Sequence, residues 1–269
     1  MIVEQMLKNA QTPLLHIADV SGSALYLGDC LEIMPKYIED KSIDLILCDL
    51  PYGTTNCSWD SVIDLQKLWI EYERIIKDNG AIILTAQTPF DKVLACSNLK
   101  LLRYEWIWEK TQATGHLNAK KMPMKAHENV LVFYKNLPTY NPIMTEGHVR
   151  KVSKAKNRAA CIERRNDTDN IYNNEYADKV NDYDSTTRYP RSVVQFKTDK
   201  QTSNLHKTQK PLDLMKYFIL TYTNEGMTVL DNTMGSGTTC LAAKELNRKF
   251  IGIEKEPKYY EIACRRCGF

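Results

Sequence analysis

Two short stretches of this chain combine residue types that can do chemistry, and each follows an apolar run. Asp49-Leu50-Pro51-Tyr52 sets a carboxylate three residues before a phenol, directly after the β-rich run from Ile43 to Cys48. A strand ending there places the tetrapeptide in a loop at the carboxyl edge of a sheet, where open α/β folds bind ligands. The same four residues also read as a turn that merely closes a strand. Asp231-Asn232-Thr233-Met234-Gly235-Ser236-Gly237-Thr238-Thr239 sits between a strand and a helix. There glycines let the backbone approach a ligand and helix N-terminal amides face its anionic groups, although a ligand-free tight turn has the same pattern. Glu254 ends the next strand, 17 residues beyond Gly237. An acid near that position in such units hydrogen-bonds ribose hydroxyls.

Turn and acid together suggest an adenosine-containing cofactor. A nicotinamide dinucleotide usually wants a third glycine, so that helix and strand pack closely under its pyrophosphate. Cys240 stands at that position. The substitution fits a ligand without pyrophosphate, and S-adenosylmethionine is one, with a ribose for Glu254 and a carboxylate for the helix end.

The elements that must position these residues follow from periodicity. Short apolar runs at 24–27, 43–48, 81–85, 104–108 and 129–134 predict strands that alternate with helical patterns, as in a mostly parallel α/β sheet. Leu65, Leu68, Trp69, Tyr72, Ile75 and Ile76 mark one buried face of a helix, with Gly80 as its stop signal. From Asn136 to about Leu205 the periodicity fades, which marks an insertion outside the core. It resumes at Pro211, a good first helical residue, and continues as a strand at 228–230, a helix at 238–246 and a strand at 249–253.

Composition sets the remaining bounds. The chain has 269 residues with a net charge of +3, too mild to announce a nucleic-acid partner by itself. Its distribution says more. Between His148 and Arg165 lie seven Lys/Arg against Glu163, whereas Asp167 to Asp184 holds six acids against Lys179. The eight cysteines are scattered through apolar stretches, as expected of reduced thiols. Cys264 and Cys267 have metal-like spacing but no second ligand pair, so they read as free thiols near a frayed C-terminus and no metal is expected. No run approaches a spanning helix and the first twenty residues do not form a leader, so a cytoplasmic protein without a membrane partner is expected.

The ordered motifs resemble the amino-directed DNA methyltransferases, whose signature is Asp-Pro-Pro-Tyr, in the permuted β-type arrangement where catalytic motifs precede the target-recognition region and cofactor glycines come last. Besides the two stretches above, Gly28-Asp29-Cys30, the runs 104–110 and 127–135, and His206-Lys207-Thr208-Gln209-Lys210-Pro211 are similar to further blocks of that family. The resemblance implies a Rossmann-like methyltransferase fold, a mostly parallel seven-stranded sheet with helices on both faces. It divides the chain into a catalytic half (1–135), an inserted target-recognition region (136–205) and a cofactor-binding half (206–269).

In that family the first motif residue and the next carbonyl accept hydrogen bonds from the target amine, and the aromatic ring stacks on the flipped-out base. Here those roles fall to Asp49, Leu50 and Tyr52, with Pro51 between them. Asp29 and Cys30 are implied at the adenine end of the methyl donor, and Lys210 and Pro211 at its methionine end. Asp at the first motif position is the usual adenine-N6 form, whereas cytosine-N4 enzymes more often begin with Ser. The sequence departs from the pattern twice. Leu50 replaces a proline, and Thr233 stands where an aromatic often packs against the donor, which predicts weaker donor affinity. DNA is the expected partner, met by the basic block of the insertion and by a second loop, Thr111 to Lys125, with Lys110, Lys120, Lys121 and Lys125. A homodimer is left open. The competing classes are a catalytically inactive DNA-binding relative and a nicotinamide oxidoreductase.

Overall fold

The computed structural model describes residues 16–19, 22–53, 61–156, 182–198 and 209–269. The chain runs β1 (His16–Ala18), β2 (Ala24–Leu27), α1 (Cys30–Tyr37), β3 (Ile43–Asp49), α2 (Leu65–Ile75), β4 (Ile76–Ala86), α3 (Phe90–Ser97), β5 (Leu102–Thr114), β6 (Lys125–Phe133), β7 (Lys151–Ser153), β8 (Tyr183–Ser185), β9 (Val193–Phe196), α4 (Leu212–Tyr222), β10 (Thr228–Asp231), α5 (Thr238–Glu245), β11 (Lys249–Glu254) and α6 (Pro257–Cys267). Two units separate: Met1–Asn141 with Ser192–Phe269, and Pro142–Arg191.

The larger unit is built on a sheet in the order β1-β2-β11-β10-β3-β4-β6-β5-β9. From β2 to β4 every pairing is parallel, and β6 pairs antiparallel with both β4 and β5. The expected seven strands are therefore nine among the described residues. β1 adds antiparallel to β2 at one edge, and β9 adds parallel to β5 at the other. β9 also shows that the stretch read as insertion returns to the sheet before residue 205. Its alternation of exposed and half-buried residues is that of an edge strand, too short to stand out by periodicity.

Alternation along each strand divides the core. Leu45, Leu47, Ala81, Ile83, Val130 and Val132 face α4, α5 and α6, whereas Ile46, Cys48, Ile82, Leu84, Leu131 and Phe133 face α1, α2 and α3. Central strands buried on both sides explain why their sequence is continuously apolar.

Gly80 is not the stop of α2. The helix ends when Ile76 turns extended, its amide donating to the Tyr72 carbonyl, and Gly80 lies inside β4. The register between β3 and β4 shifts there, from Ile43 opposite Ile76 to Leu45 opposite Ala81. A Cβ on Gly80 would lie 2.8 Å from the Ile76 side chain and 2.9 Å from the Asp44 carbonyl oxygen, so the bulge requires glycine. The C-terminus is not frayed: Cys264 and Cys267 are buried in α6.

In the smaller unit β7 and β8 form an antiparallel pair. Arg150 makes a two-point contact with Asp184, at 2.7 and 2.6 Å, and Lys154 meets Asp182 at 2.8 Å. Two of the described residues of the basic run thus pair with the two described acids of the acidic run. Arg158, Arg164 and Arg165 lie outside the described residues. Among the described residues no helix is long and apolar enough to cross a membrane.

Candidate active site

Parallel strands end on the same side of their sheet, so β2, β3, β4, β10 and β11 bring Asp29, Asp49, Thr85, Asp231 and Glu254 to one edge. The adjacent strands β3 and β10 send their helices to opposite faces, α2 to one and α5 to the other. A crevice opens where such connections diverge. It is a cavity of about 720 Å³, lined by Asp49 to Tyr52 on one side and by Asp231 to Ser236 with Glu254 on the other.

The carboxylate of Asp49 is held on both oxygens. Oδ1 accepts from the Tyr52 hydroxyl at 2.6 Å and from the Thr85 hydroxyl at 2.5 Å, and Oδ2 accepts from the Lys210 ammonium at 2.7 Å. Thr85 reaches it because the two residues are register partners in β3 and β4. The Tyr52 ring stacks on Phe90, with centroids 5.3 Å apart and planes 28° from parallel. Lys210 sits 5.5 Å from the Tyr52 ring centre. Behind Lys210, Glu128 lies 3.2 Å away and bridges to Lys110 at 2.6 Å. Burial works against the charge on Lys210, but Asp49, Tyr52 and Glu128 more than offset it and hold the ammonium above its ordinary range. Burial and the neighbouring Asp49 push the Tyr52 phenol up, so it stays neutral at physiological pH. Burial also pushes Glu128 upward, but Lys210 and Lys110 keep its carboxyl below the usual range.

The second loop turns on Gly235 and Gly237, both at positive φ (52° and 76°), a conformation that L side chains resist. Glu254 closes it, one carboxylate oxygen accepting from the Gly235 amide at 2.8 Å and the other from the Glu256 amide at 2.8 Å. Burial raises the Glu254 carboxyl despite those amides. Asp231, fully enclosed and facing Asp49 and Glu254, is pushed up to about 7, burial being the larger cause. From behind, Arg266 donates to the Ser236 carbonyl at 2.7 Å and to the Thr238 hydroxyl at 3.1 Å. The two loops are tied together where the Thr233 hydroxyl donates to the Asp49 carbonyl at 3.1 Å.

Residues 43–265, both loops included, match the DNA methylase family of N6/N4 amino-methyltransferases. The chain belongs to this family. It is 31% identical over 258 residues to the DNA adenine methyltransferase YhdJ of Escherichia coli K12, covering 89% of this chain and 80% of the relative. To the type II methyltransferase M2.DpnII of Streptococcus pneumoniae it is 38% identical over 265 residues, covering 89% and 87%. The fold is shared with a solved structure of the M1.HpyAVI–SAM complex, with a TM-score of 0.62, 23% identity and coverage of 91% and 98%.

As a member of this family the chain is a DNA amino-methyltransferase, and most of the residues singled out in its sequence meet in one crevice. Asp29, Cys30, Asp49, Leu50, Pro51, Tyr52, Lys210, Asp231, Asn232, Thr233, Gly235, Ser236, Thr238, Thr239 and Glu254 line the cavity. Pro211 and Gly237 do not; they cap α4 and α5. Asp29 also caps α1, accepting from the Leu31 amide at 2.9 Å. Lys210 contacts the loop after β3 directly, through Asp49. His206, Lys207 and Thr208 lie outside the described residues. Lys110, expected in a DNA-facing loop, is 9% exposed because it pairs with Glu128. Thr85, Phe90 and Glu128 were not anticipated.

The crevice suits S-adenosylmethionine. That donor carries a sulfonium and an ammonium, and three carboxylates converge here, one of them raised to about 7 in a way that a cation would relieve. Asn232 adds a buried side-chain nitrogen, a donor at the same wall whose neighbour is the Cys30 thiol.

Proposed function

We propose that the chain methylates N6 of adenine in DNA, with Asp49 and the Leu50 carbonyl accepting the hydrogens of the target amine and Tyr52 stacking on the extruded base. The observation that carries this reading is the Asp49 carboxylate at the end of β3, poised over the crevice and tied through its own carbonyl to Thr233. S-adenosylmethionine, when bound, supplies the methyl group as a sulfonium electrophile.

The amine of adenine is a weak nucleophile because its lone pair is delocalised into the ring. Two acceptors aimed at its hydrogens favour localisation on nitrogen and stabilise the positive charge that develops there. Tyr52 is backed by Phe90, which fixes its plane, and ring stacking worth roughly 1–3 kcal/mol is comparable with the cost of extruding a base. In this reading Glu254 takes the ribose hydroxyls and the N-terminus of α5 the carboxylate of the donor. Residues 136–205, which contain the separate unit Pro142–Arg191, are proposed as the target-recognition region.

Adenine is favoured over cytosine by the aspartate at the first motif position, and the relative named as an adenine methyltransferase adds support. Nucleoside mass spectrometry of unmethylated genomic DNA after incubation with enzyme and donor tests it. N6-methyladenine is expected; N4-methylcytosine as the sole product would reject the assignment.

A further inference from the structure

Asp49 is the end of a chain of four alternating charges: Lys110, Glu128, Lys210 and Asp49, joined at 2.6, 3.2 and 2.7 Å. The first three side chains are 8–10% exposed, and Asp49, at 26%, is the end of the chain that opens to the crevice. The links are unequal. Glu128 Oε1 is firmly held by Lys110 at 2.6 Å, whereas Oε2 is buried and faces Lys210 at 3.2 Å, the longest link in the chain. Lys210 therefore leans on Asp49 with a second carboxylate oxygen waiting behind it.

That asymmetry matters for an amine nucleophile. Oδ1 of Asp49 is filled by two hydroxyls, so the oxygen with room for an incoming amine is Oδ2, the one Lys210 occupies. A cation kept there would also oppose the positive charge that grows on the attacking nitrogen. We propose that Lys210 holds Asp49 in place in the free enzyme and shifts onto Glu128 Oε2 when the target amine takes Oδ2, which makes Glu128 a positioning residue for methyl transfer. Glu128 touches neither substrate nor donor; it acts by receiving Lys210. Oδ2 of Asp49 then meets the amine without the ammonium, while Tyr52 and Thr85 keep Oδ1 and Lys110 keeps its hold on the other oxygen of Glu128. The inference rests on the amine-directed reading of Asp49.

The test is a double-mutant cycle on single-turnover methyl transfer, with tritiated S-adenosylmethionine and unmethylated genomic DNA at saturation. Glu128→Gln is expected to lower the rate about tenfold or more while calorimetric binding of the donor changes less than about twofold. Glu128→Asp, which keeps the charge, recovers most of that loss. In a Lys210→Met background Glu128→Gln adds no further loss, because no ammonium is left to receive. Glu128→Gln/Lys110→Met, which does not strand a buried cation, guards against misfolding and carries the same expectation as Glu128→Gln. A Glu128→Gln rate within about threefold of wild type, equal losses for Gln and Asp, or fully additive losses with Lys210→Met would each overturn the inference. No transfer by the wild type to any DNA overturns the proposed function, and this inference with it.

Discussion

The hydroxyl of Thr233 donates to the main-chain carbonyl of Asp49 across 3.1 Å, joining the loop after β10 to the loop after β3. The pattern of related sequences suggested a loss at Thr233, an aromatic exchanged for a small polar residue and hence weaker grip on the donor. The structure shows a gain as well: the threonine sets the spacing between the two halves of the crevice. Thr233→Val keeps the volume and removes this hydrogen bond, worth about 1 kcal/mol. Steady-state kinetics should show kcat lowered roughly threefold to tenfold with donor affinity changed less. A larger effect on donor affinity than on kcat would contradict the linking role.

The missing third glycine is explained by Gly252. A side chain there would run into Met234, Cys240 and Leu25, so α5 packs closely because the glycine is in the strand instead of the helix. Gly252→Ala overpacks this contact at a cost of about 1–3 kcal/mol. Thermal unfolding should fall by roughly 3–10 °C. An unchanged melting temperature would show that the layer has slack.

Asp231 gives a pH dependence of unusual sign. Its carboxyl is raised to about 7 by burial, so the native state holds a proton that the unfolded chain, at 3.8, has released. Between those values stability falls as pH rises, by about 1.4 kcal/mol per unit of difference, and the penalty is complete above about pH 7. Asp231→Asn removes it while keeping an acceptor for the Thr233 amide, now 3.1 Å away. Denaturant unfolding should show the variant more stabilised at pH 8 than at pH 5; equal gains at both would refute the assignment. A cationic donor favours the ionised form, so wild-type donor binding should also tighten from pH 6 to pH 8.

Contiguous chemistry was legible in the sequence, and chemistry assembled by register was not. Asp49 to Tyr52 and Asp231 to Thr239 each follow one strand, so an apolar run and a turn were enough to find them. Thr85 reaches Asp49 as its cross-strand partner, and Glu128 comes from β6, two strands away from β3. Pairing order decides such meetings, and a single sequence does not display it. One sign was present: Glu128 stands two residues before the fully apolar Val130–Phe133 stretch, and an acid at the mouth of a buried strand needs a partner. Lys110 was misplaced for a related reason, since a lysine among polar neighbours looks solvated until β5 and β6 pair and enclose it. The added edge strands β1 and β9 were missed because three or four residues carry too little periodicity.

The central claim is that Asp49 acts on the target amine and not on the donor. It is tested most directly by measuring tritium transfer to DNA and calorimetric donor binding side by side for wild type and Asp49→Ala. The account predicts that transfer falls by roughly a hundredfold or more while the donor dissociation constant stays within about threefold. Transfer by Asp49→Ala at the wild-type rate, with donor bound equally well, would contradict it.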